Sequence, residues 1–169
     1  MSSLVFRLPE RPRSNALAIG ALAFVTIAGA WIFEAAGYPP CDLCLEQRYA
    51  YYVGVPLALV TLAFAVVGAN RGLLRALFWL LALIFAANAV LAIYHSGVEA
   101  QLWQGPTACT GALNAGTGGD LLSQLAKVKV VRCDAVQLRV LGLTLANWNI
   151  IISAALAALA ARAGLARGA

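Results

Sequence analysis

The stretch ALAIGALAFVTIAGAWIFEAAGYPPCDLCLEQR, residues 16–48, joins a long apolar run to a compact motif with two cysteines. The run from Ala16 to about Ala36 is long enough to cross a bilayer core of about 30 Å as a helix. Hydrocarbon offers no partner to a backbone amide, so a helix is favoured over open strands. The motif that follows therefore places a Cys-x-x-Cys pair at the edge of a membrane.

Three more apolar runs follow along the chain. The sequence of 169 residues is 62% hydrophobic and 11% charged, whereas soluble domains are about 45–50% apolar and about 25% charged. These figures exclude an ordinary soluble domain and predict an all-α fold, an integral membrane four-helix bundle that forms one domain over residues 1–169. The predicted spans are about 16–36, 49–69, 73–94 and 143–163, with outward loops at about 37–48 and 95–142.

The distribution of basic residues predicts the orientation of the bundle. Lys and Arg concentrate in the cytoplasmic segments of membrane proteins. The leading segment, the loop between spans two and three, and the tail together carry a net charge of +6, whereas the remaining loops with Glu34 carry −1. Both termini are therefore expected in the cytoplasm, and the two other loops are expected in the periplasm, as in a bacterial inner-membrane protein.

The first run also has features of a cleavable signal peptide. A basic stretch precedes it, and Ala28, Gly29 and Ala30 form a small-residue segment of the kind found at cleavage sites. The run continues through Trp31 to Phe33 and so reaches spanning length. That length favours a retained membrane span.

All four cysteines fall in the loops predicted to be periplasmic, where thiols are normally oxidised: Cys41 and Cys44 in the first loop, Cys109 and Cys133 in the second. Two structural disulfides are one interpretation, although a Cys-x-x-Cys bridge closes too short a loop to constrain the unfolded chain much. A four-thiolate zinc site is another, but such sites usually pair two Cys-x-x-Cys knuckles. Redox exchange is the favoured interpretation.

Cys44 is expected to be the more reactive thiol of the first pair. It stands at the predicted start of the second span, where a helix presents partial positive charge. Arg48 lies one helical turn further on the same face, and both features lower a thiol pKa and favour exchange. An arginine at a helix end can instead simply reach the lipid headgroups. A cation beside a thiolate would also stabilise an anionic form of a lipid-soluble electron acceptor.

The second outward loop is predicted to carry a short amphipathic helix. The segment DLLSQLAKVKVV, residues 120–131, could place an apolar stripe on the membrane surface or on the bundle, with Asp120 as its N-cap. The glycine-rich part before it predicts a loop that can move. A disulfide between Cys109 and Cys133 would then be accessible to an outside thiol.

Several other polar or small residues are given structural roles. His95, the only histidine, is left outside the catalytic set because interfacial hydrogen bonding explains most membrane-edge histidines. Gly54 is expected to permit close packing or a kink in span two. Glu34 and Tyr38 are interpreted as ordinary interface residues. The asparagines in or near the spans are expected to hydrogen-bond between helices; they are Asn88, Asn147 and Asn149.

Taken together, these features resemble the DsbB family of inner-membrane, quinone-linked thiol oxidoreductases. The stretch CDLCLEQR looks like that family's first-loop motif, and YHSGVEAQLWQGPTAC and CDAVQLRVLGLTLANWN look like the family stretches around the third and fourth cysteines. A lone Cys-x-x-Cys would be weak support, whereas this ordered set covers nearly the whole chain.

The resemblance implies a specific reaction and set of partners. A reduced periplasmic thioredoxin-like oxidase, of the DsbA type, would attack Cys109 and form a mixed disulfide with it. Cys133 would then attack Cys41, and Cys44 would remain as the thiolate beside the cofactor, ubiquinone or menaquinone. Arg48 matches the family's quinone-contacting arginine. The expected activity is thus thiol:quinone oxidoreduction that generates disulfides for protein folding, with no metal.

Two rival functions are open at this point. A vitamin K epoxide reductase-like oxidoreductase solves the same chemical problem, but its Cys-x-x-Cys lies near the end of the chain, whereas here it follows the first span. A non-catalytic membrane scaffold held by structural disulfides is the other rival. Quinone reduction by the purified protein would distinguish the scaffold from either enzyme.

Overall fold

The computed structural model describes residues 12–106 and 131–166 and contains, in these ranges, four long helices. All four are long and apolar enough to cross a membrane. The prediction of an all-helical protein with four candidate spans is therefore confirmed. The helices are α1 (Pro12–Ala35), α2 (Asp42–Val66), α3 (Arg71–Glu99) and α4 (Leu145–Leu165).

Two helices extend beyond the predicted spans at the end that carries the cysteines. α2 begins at Asp42 rather than near Tyr49, and α3 continues through Glu99 rather than ending near Tyr94. The predicted boundaries followed hydropathy, which marks the apolar zone, whereas a capped helix continues through polar residues. Much of the predicted first loop is therefore the beginning of α2.

A small β-ribbon, which the sequence did not predict, leads into α4. Strand β1 (Arg139–Val140) pairs antiparallel with β2 (Leu143–Thr144). The two residues between them, Leu141 and Gly142, both have positive φ, as tight two-residue hairpins require. The ribbon ends at Thr144, whose side chain caps α4 by accepting a hydrogen bond from the Asn147 amide at 3.2 Å. The predicted amphipathic helix near Asp120 lies outside the described residues.

Arginine side chains bind helix carboxyl ends at the opposite end of the bundle. Arg13 donates from Nε to the Ala65 carbonyl at 3.2 Å and from Nη2 to the Val66 carbonyl, near the end of α2. Arg75 donates from Nε to the Gly164 carbonyl at 3.1 Å, near the end of α4. These last-turn carbonyls lack partners within their helices, and cations are favourable there. The contacts join neighbouring antiparallel helices at this end.

The core between the helices is apolar, with a few polar links. A Cβ added at Gly54 would lie 2.5 Å from the Phe85 ring, which confirms the prediction of close packing at this glycine. Asn88 Nδ2 donates to Ser153 Oγ at 2.9 Å, between α3 and α4. Ser96 Oγ also donates to an asparagine of α4, Asn147, at 2.6 Å. The asparagines thus join helices, as predicted.

Candidate redox-active site

The Cys-x-x-Cys pair forms the amino end of α2. Cys41 is the N-cap residue, with extended backbone, and its sulfur accepts a hydrogen bond from the Cys44 amide at 3.3 Å. The two sulfur atoms are 2.7 Å apart, and both cysteines are free. The helix start therefore holds the two thiols side by side, in position to form a disulfide without movement of the backbone.

The two thiols are not equivalent. The Cys41 thiol donates to the Cys44 sulfur, and this hydrogen bond together with burial raises the pKa of Cys41 far above its usual range. Cys41 is only 3% exposed, whereas Cys44 is partly exposed. The hydrogen bond and burial thus favour the neutral thiol at Cys41, and the role of Cys44 as the reactive thiolate stays a prediction.

Arg48 is held by α1. Its Nη1 donates to Glu34 Oε2 at 2.5 Å, and its Nη2 lies 3.4 Å from the Ala30 carbonyl. Arg48 is 9% exposed, so its charge is mostly buried and the carboxylate compensates it. This contact corrects the interpretation of Glu34 as an ordinary interface residue, because Glu34 is the partner that orients the guanidinium.

His95 lies directly against the thiol pair. Its Nε2 atom is 3.6 Å from the Cys41 sulfur, and its Nδ1 atom is 2.8 Å from Gln47 Nε2. An amide nitrogen only donates, so Nδ1 accepts and the ring proton resides on Nε2, which faces Cys41. His95 was left out of the predicted catalytic set. The signal that could have found it is that the only histidine of the sequence stands at the end of a membrane helix.

A hydrogen-bond network behind His95 fixes this arrangement. Gln47 Oε1 accepts from Asn149 Nδ2, whose Oδ1 in turn accepts from the Tyr51 hydroxyl, both at 2.5 Å. Ser153 lies 3.1 Å from the same hydroxyl. Buried networks of this kind are rigid when every group is satisfied. The tautomer of His95 is thus set by groups on α2 and α4.

Cys133 is brought next to the first pair. It is disulfide-bonded and 1% exposed, and it packs in one apolar cluster with Cys41, Leu43 and Val98. Cys109, the remaining cysteine of the sequence, lies outside the described residues. The structure therefore places three of the four predicted redox residues together, while the role of each stays a prediction.

A cavity of about 400 Å³ lies beside these thiols, between the four helices and the segment 132–140. Its volume is in the usual range for small-molecule sites. Val25 and Leu22 line it and are also exposed on the outer surface of the bundle. The wall is mainly apolar, and its chemically active groups are Cys41, Cys44, Arg48, His95, Glu99 and Cys133.

The donor atoms of Cys41, Cys44 and His95 lie within 4.8 Å of one another, a set that could in principle hold a metal ion. Two thiolates bound tetrahedrally to zinc at about 2.3 Å keep their sulfurs about 3.8 Å apart. The sulfurs here are 2.7 Å apart, and the proton on His95 Nε2 occupies the lone pair that a metal would need. The geometry suits disulfide formation rather than metal binding.

The cavity fits a quinone better than it fits an ion. A flat apolar ring suits the mainly aliphatic wall, and Arg48 can donate a hydrogen bond to a carbonyl oxygen in a site with little water. Cys44 and Arg48 line the same cavity, and they are the residues that would hold a quinone. Arg48 also forms hydrogen bonds with Glu34 and Ala30 of α1.

Comparisons with known proteins agree with this chemistry. The family model described as disulfide bond formation protein DsbB matches residues 12–163. The chain is similar to disulfide bond formation protein B 2 of Burkholderia lata, with 34% identity over 86% of this chain and 84% of that protein. It is also similar to disulfide bond formation protein B of a Polaromonas species, with 28% identity over 83% and 84%. No solved structure matches the chain.

Proposed function

Because the chain belongs to the DsbB family of membrane disulfide oxidoreductases, we propose that it reoxidises a periplasmic thioredoxin-like oxidase and passes the electrons to a membrane quinone. Membership in this family disfavours both the vitamin K epoxide reductase-like alternative and the scaffold. The observation that carries the proposal is that Cys44, Cys133 and Arg48 line one cavity together with apolar residues of α1 that are also exposed on the outer surface of the bundle.

The reaction begins at the second cysteine pair. A thiolate of the reduced partner attacks Cys109 of a Cys109–Cys133 disulfide and releases Cys133 as a thiolate. The second thiolate of the partner then displaces Cys109, and the partner leaves with its disulfide restored. These exchanges bring two electrons into the protein, because two thiols of the partner become a disulfide while the Cys109–Cys133 disulfide becomes two thiols.

Transfer between the cysteine pairs is the next step. The Cys133 thiolate attacks Cys41 of the Cys41–Cys44 disulfide and releases Cys44 as a thiolate. The packing of Cys41 and Cys133 in one buried cluster supports this transfer. The Cys109 thiolate then attacks Cys133 of the Cys41–Cys133 disulfide and releases Cys41, so that Cys41 and Cys44 form the reduced pair and the Cys109–Cys133 disulfide is restored.

The last step returns the first pair to its oxidised form. Cys41 gives up its proton and bonds to Cys44, and two electrons leave the sulfurs. The oxidant for this step would be ubiquinone or menaquinone bound in the cavity. Cys44 and Arg48 would hold the quinone ring, with the Arg48 charge favouring the electron-rich form. His95 keeps its Nε2 proton toward Cys41 and stabilises that sulfur whenever it is a leaving thiolate.

The decisive experiment is quinone reduction by the purified protein supplied with a reduced thioredoxin-like dithiol. We expect catalysis in the parent and none in Cys44→Ala, because that variant cannot form the first disulfide. The control is the Cys133 disulfide, which mass spectrometry should still find in the variant if its fold is intact. Turnover in Cys44→Ala equal to that of the parent would contradict the proposal.

The acceptance of electrons from the partner is tested separately. The parent chain is mixed with a reduced partner whose second cysteine is changed to serine. The remaining thiolate should attack Cys109, release Cys133 and stay bound, because this partner has no second thiol to displace Cys109. Nonreducing electrophoresis detects that complex. If Cys109→Ser traps this partner as readily as the parent does, Cys109 is not the residue that is attacked.

A further inference from the structure

Glu99 stands out among the groups that line the cavity. Its Oε2 atom is buried and has no hydrogen-bond partner, and no other side-chain nitrogen or oxygen of the described residues is in this state. Its side chain is 11% exposed, and its Oε1 atom lies 4.0 Å from His95 Nε2. A buried polar atom without a partner costs free energy, so its retention beside reactive thiols indicates a use.

The proposed function requires a proton source that the cysteines do not fully supply. Reduction of a quinone to a quinol consumes two electrons and two protons. In the proposed reaction Cys44 reacts as a thiolate, so the reduced pair brings one proton, which the Cys41 thiol donates toward the Cys44 sulfur. A second proton must therefore come from another group in the cavity.

The other ionisable groups of the described cavity wall already have an ion-pair or hydrogen-bond partner or lie away from the sulfurs. Arg48 is paired with Glu34, and an arginine does not release its proton in proteins. The Tyr51 hydroxyl donates to Asn149. Arg132 is paired with Asp134 at 2.6 Å. Tyr38, 40% exposed, stands at the rim rather than beside the sulfurs.

His95 is also unsuited to exchange a proton freely. Its Nδ1 accepts from Gln47, and its Nε2 proton faces Cys41. Loss of that proton would leave an anionic ring. A proton gained at Nδ1 would place two hydrogen-bond donors, the His95 ring and the Gln47 amide, face to face. Glu99 has no such restriction, because Oε2 can take or release a proton without breaking a hydrogen bond.

The surroundings of Glu99 place it between the cavity and the aqueous side. Glu99 is the last residue of α3, at the cysteine end of the bundle. The Thr144 hydroxyl is in position to donate to its carboxyl group. No Lys or Arg of the described ranges forms an ion pair with it. The ionisable groups that act on it are Cys44 of α2, His95 of α3 and Arg139 of β1, with Cys41, Arg132 and Cys133 on the same cavity wall.

We propose that Glu99 donates the second proton to the quinone and is then reprotonated from the periplasm. This inference rests on the proposed function. Cys41 releases its proton as its sulfur bonds to Cys44, two electrons leave the sulfurs, and Glu99 releases one proton. The products are the Cys41–Cys44 disulfide, the quinol and the Glu99 carboxylate. One proton from water then restores the carboxyl group, so that electrons and protons balance.

The test compares Glu99→Gln with Glu99→Asp in single-turnover quinone reduction by the prereduced protein across a pH series. The isosteric amide keeps the shape but cannot release a proton, so we expect Glu99→Gln to be about 100-fold slower than the parent. In the parent the rate should fall at higher pH as the carboxyl group ionises, whereas in Glu99→Gln this fall should be absent. Glu99→Asp should keep that decline and recover part of the rate. The matched control is Glu46→Gln, a change at an exposed glutamate outside the cavity.

A second readout does not depend on turnover. In quinone-free protein, infrared difference spectra between the oxidised and reduced Cys41/Cys44 pair should contain a carboxyl band that disappears in Glu99→Gln, because the charge on Cys44 changes near that group. A parental rate and pH profile in Glu99→Gln would overturn the inference while leaving the proposed function intact. Equal slowing in the Gln and Asp variants would also overturn it. Failure of the parent to reduce quinone would refute the proposed function itself.

Discussion

The ion pair between Arg48 and Glu34 compensates a buried positive charge at the edge of a membrane helix. A buried guanidinium without a partner is costly, and α1 provides both a carboxylate and the Ala30 carbonyl to compensate it. One face of the group is thereby fixed while Arg48 still lines the cavity. The arginine is consequently preorganised for a ligand rather than free to move among the headgroups.

Arg48→Ala should weaken quinone binding. A hydrogen bond to a charged group contributes about 1.5–3 kcal/mol, which corresponds to about a 10-fold to 100-fold rise in apparent quinone KM. Arg48→Lys should fall between the parent and Arg48→Ala, because it keeps the charge without the planar fork. Steady-state kinetics with varied quinone and titration of quinone into the oxidised protein provide the measurements.

Glu34→Gln is the matched comparison for that variant. It keeps the guanidinium but removes its charged partner, so its effect on quinone KM should be smaller than that of Arg48→Ala. If KM and quinone affinity are at parental values in Arg48→Ala, Arg48 does not contact the quinone. A larger effect in Glu34→Gln than in Arg48→Ala would show that the carboxylate, and not the arginine, matters for binding.

At the scale of the helices, the early start of α2 connects the thiols to the membrane. Cys41 caps the helix and Cys44 occupies its first turn, so both sulfurs are attached to a rigid element. Arg48 follows one turn later on that element. The relative positions of sulfur and cation are therefore set by helix geometry, while the position of α2 relative to α3 sets the distance from Cys41 to His95.

Gly54 determines how closely α2 approaches α3. A Cβ at this position would lie 2.5 Å from the ring of Phe85, which is fully buried. Gly54→Ala should lower the free energy of unfolding by about 1–3 kcal/mol through overpacking, despite the higher helix propensity of alanine. Thermal or denaturant unfolding in detergent measures this change.

Gly29→Ala is the control, because nothing lies within 4 Å of a Cβ at that glycine of α1. We expect no loss of stability there. Addition of Phe85→Leu to Gly54→Ala should recover part of the loss, since it removes the ring that the new methyl group meets. Equal stability of the two single variants would show that the close approach at Gly54 does not matter.

For the whole molecule, the two ends of the bundle differ in chemistry. One end has arginines on helix carboxyl termini, and the other has the thiols, His95 and the cavity. The excess of positive charge on the first end predicts that it faces the cytoplasm. The thiols would then face the compartment in which disulfides persist.

Cysteine labelling tests this orientation. In a background with the four native cysteines changed to serine, Val67→Cys and Leu102→Cys introduce single thiols at similarly exposed positions, 76% and 72%, at opposite ends of the bundle. A membrane-impermeant maleimide added to spheroplasts should label Leu102→Cys at once and Val67→Cys only after lysis. The reverse pattern would show that the predicted orientation is inverted.

Much of the architecture could be predicted because its determinants are local in the sequence. The number and length of the apolar runs indicate how many spans there are, and the position of Cys44 just before an apolar run indicates a thiol at a helix start. The ends of α2 and α3 were less predictable, since hydropathy does not detect a cap such as Cys41. The β-ribbon before α4 was missed because each of its strands has only two residues.

The four apolar helices, the Cys-x-x-Cys at a helix start and the family resemblance could all be read from the amino-acid sequence, because they depend on length, spacing and order along one chain. Three contacts became visible only in the folded protein: Glu34 binds Arg48, Gln47 sets the tautomer of His95, and Glu99 lines the same cavity as the thiols. Contacts of this kind join separate helices, and they depend on how each helix is rotated and packed. Spacing within a single helix carries no information about that rotation.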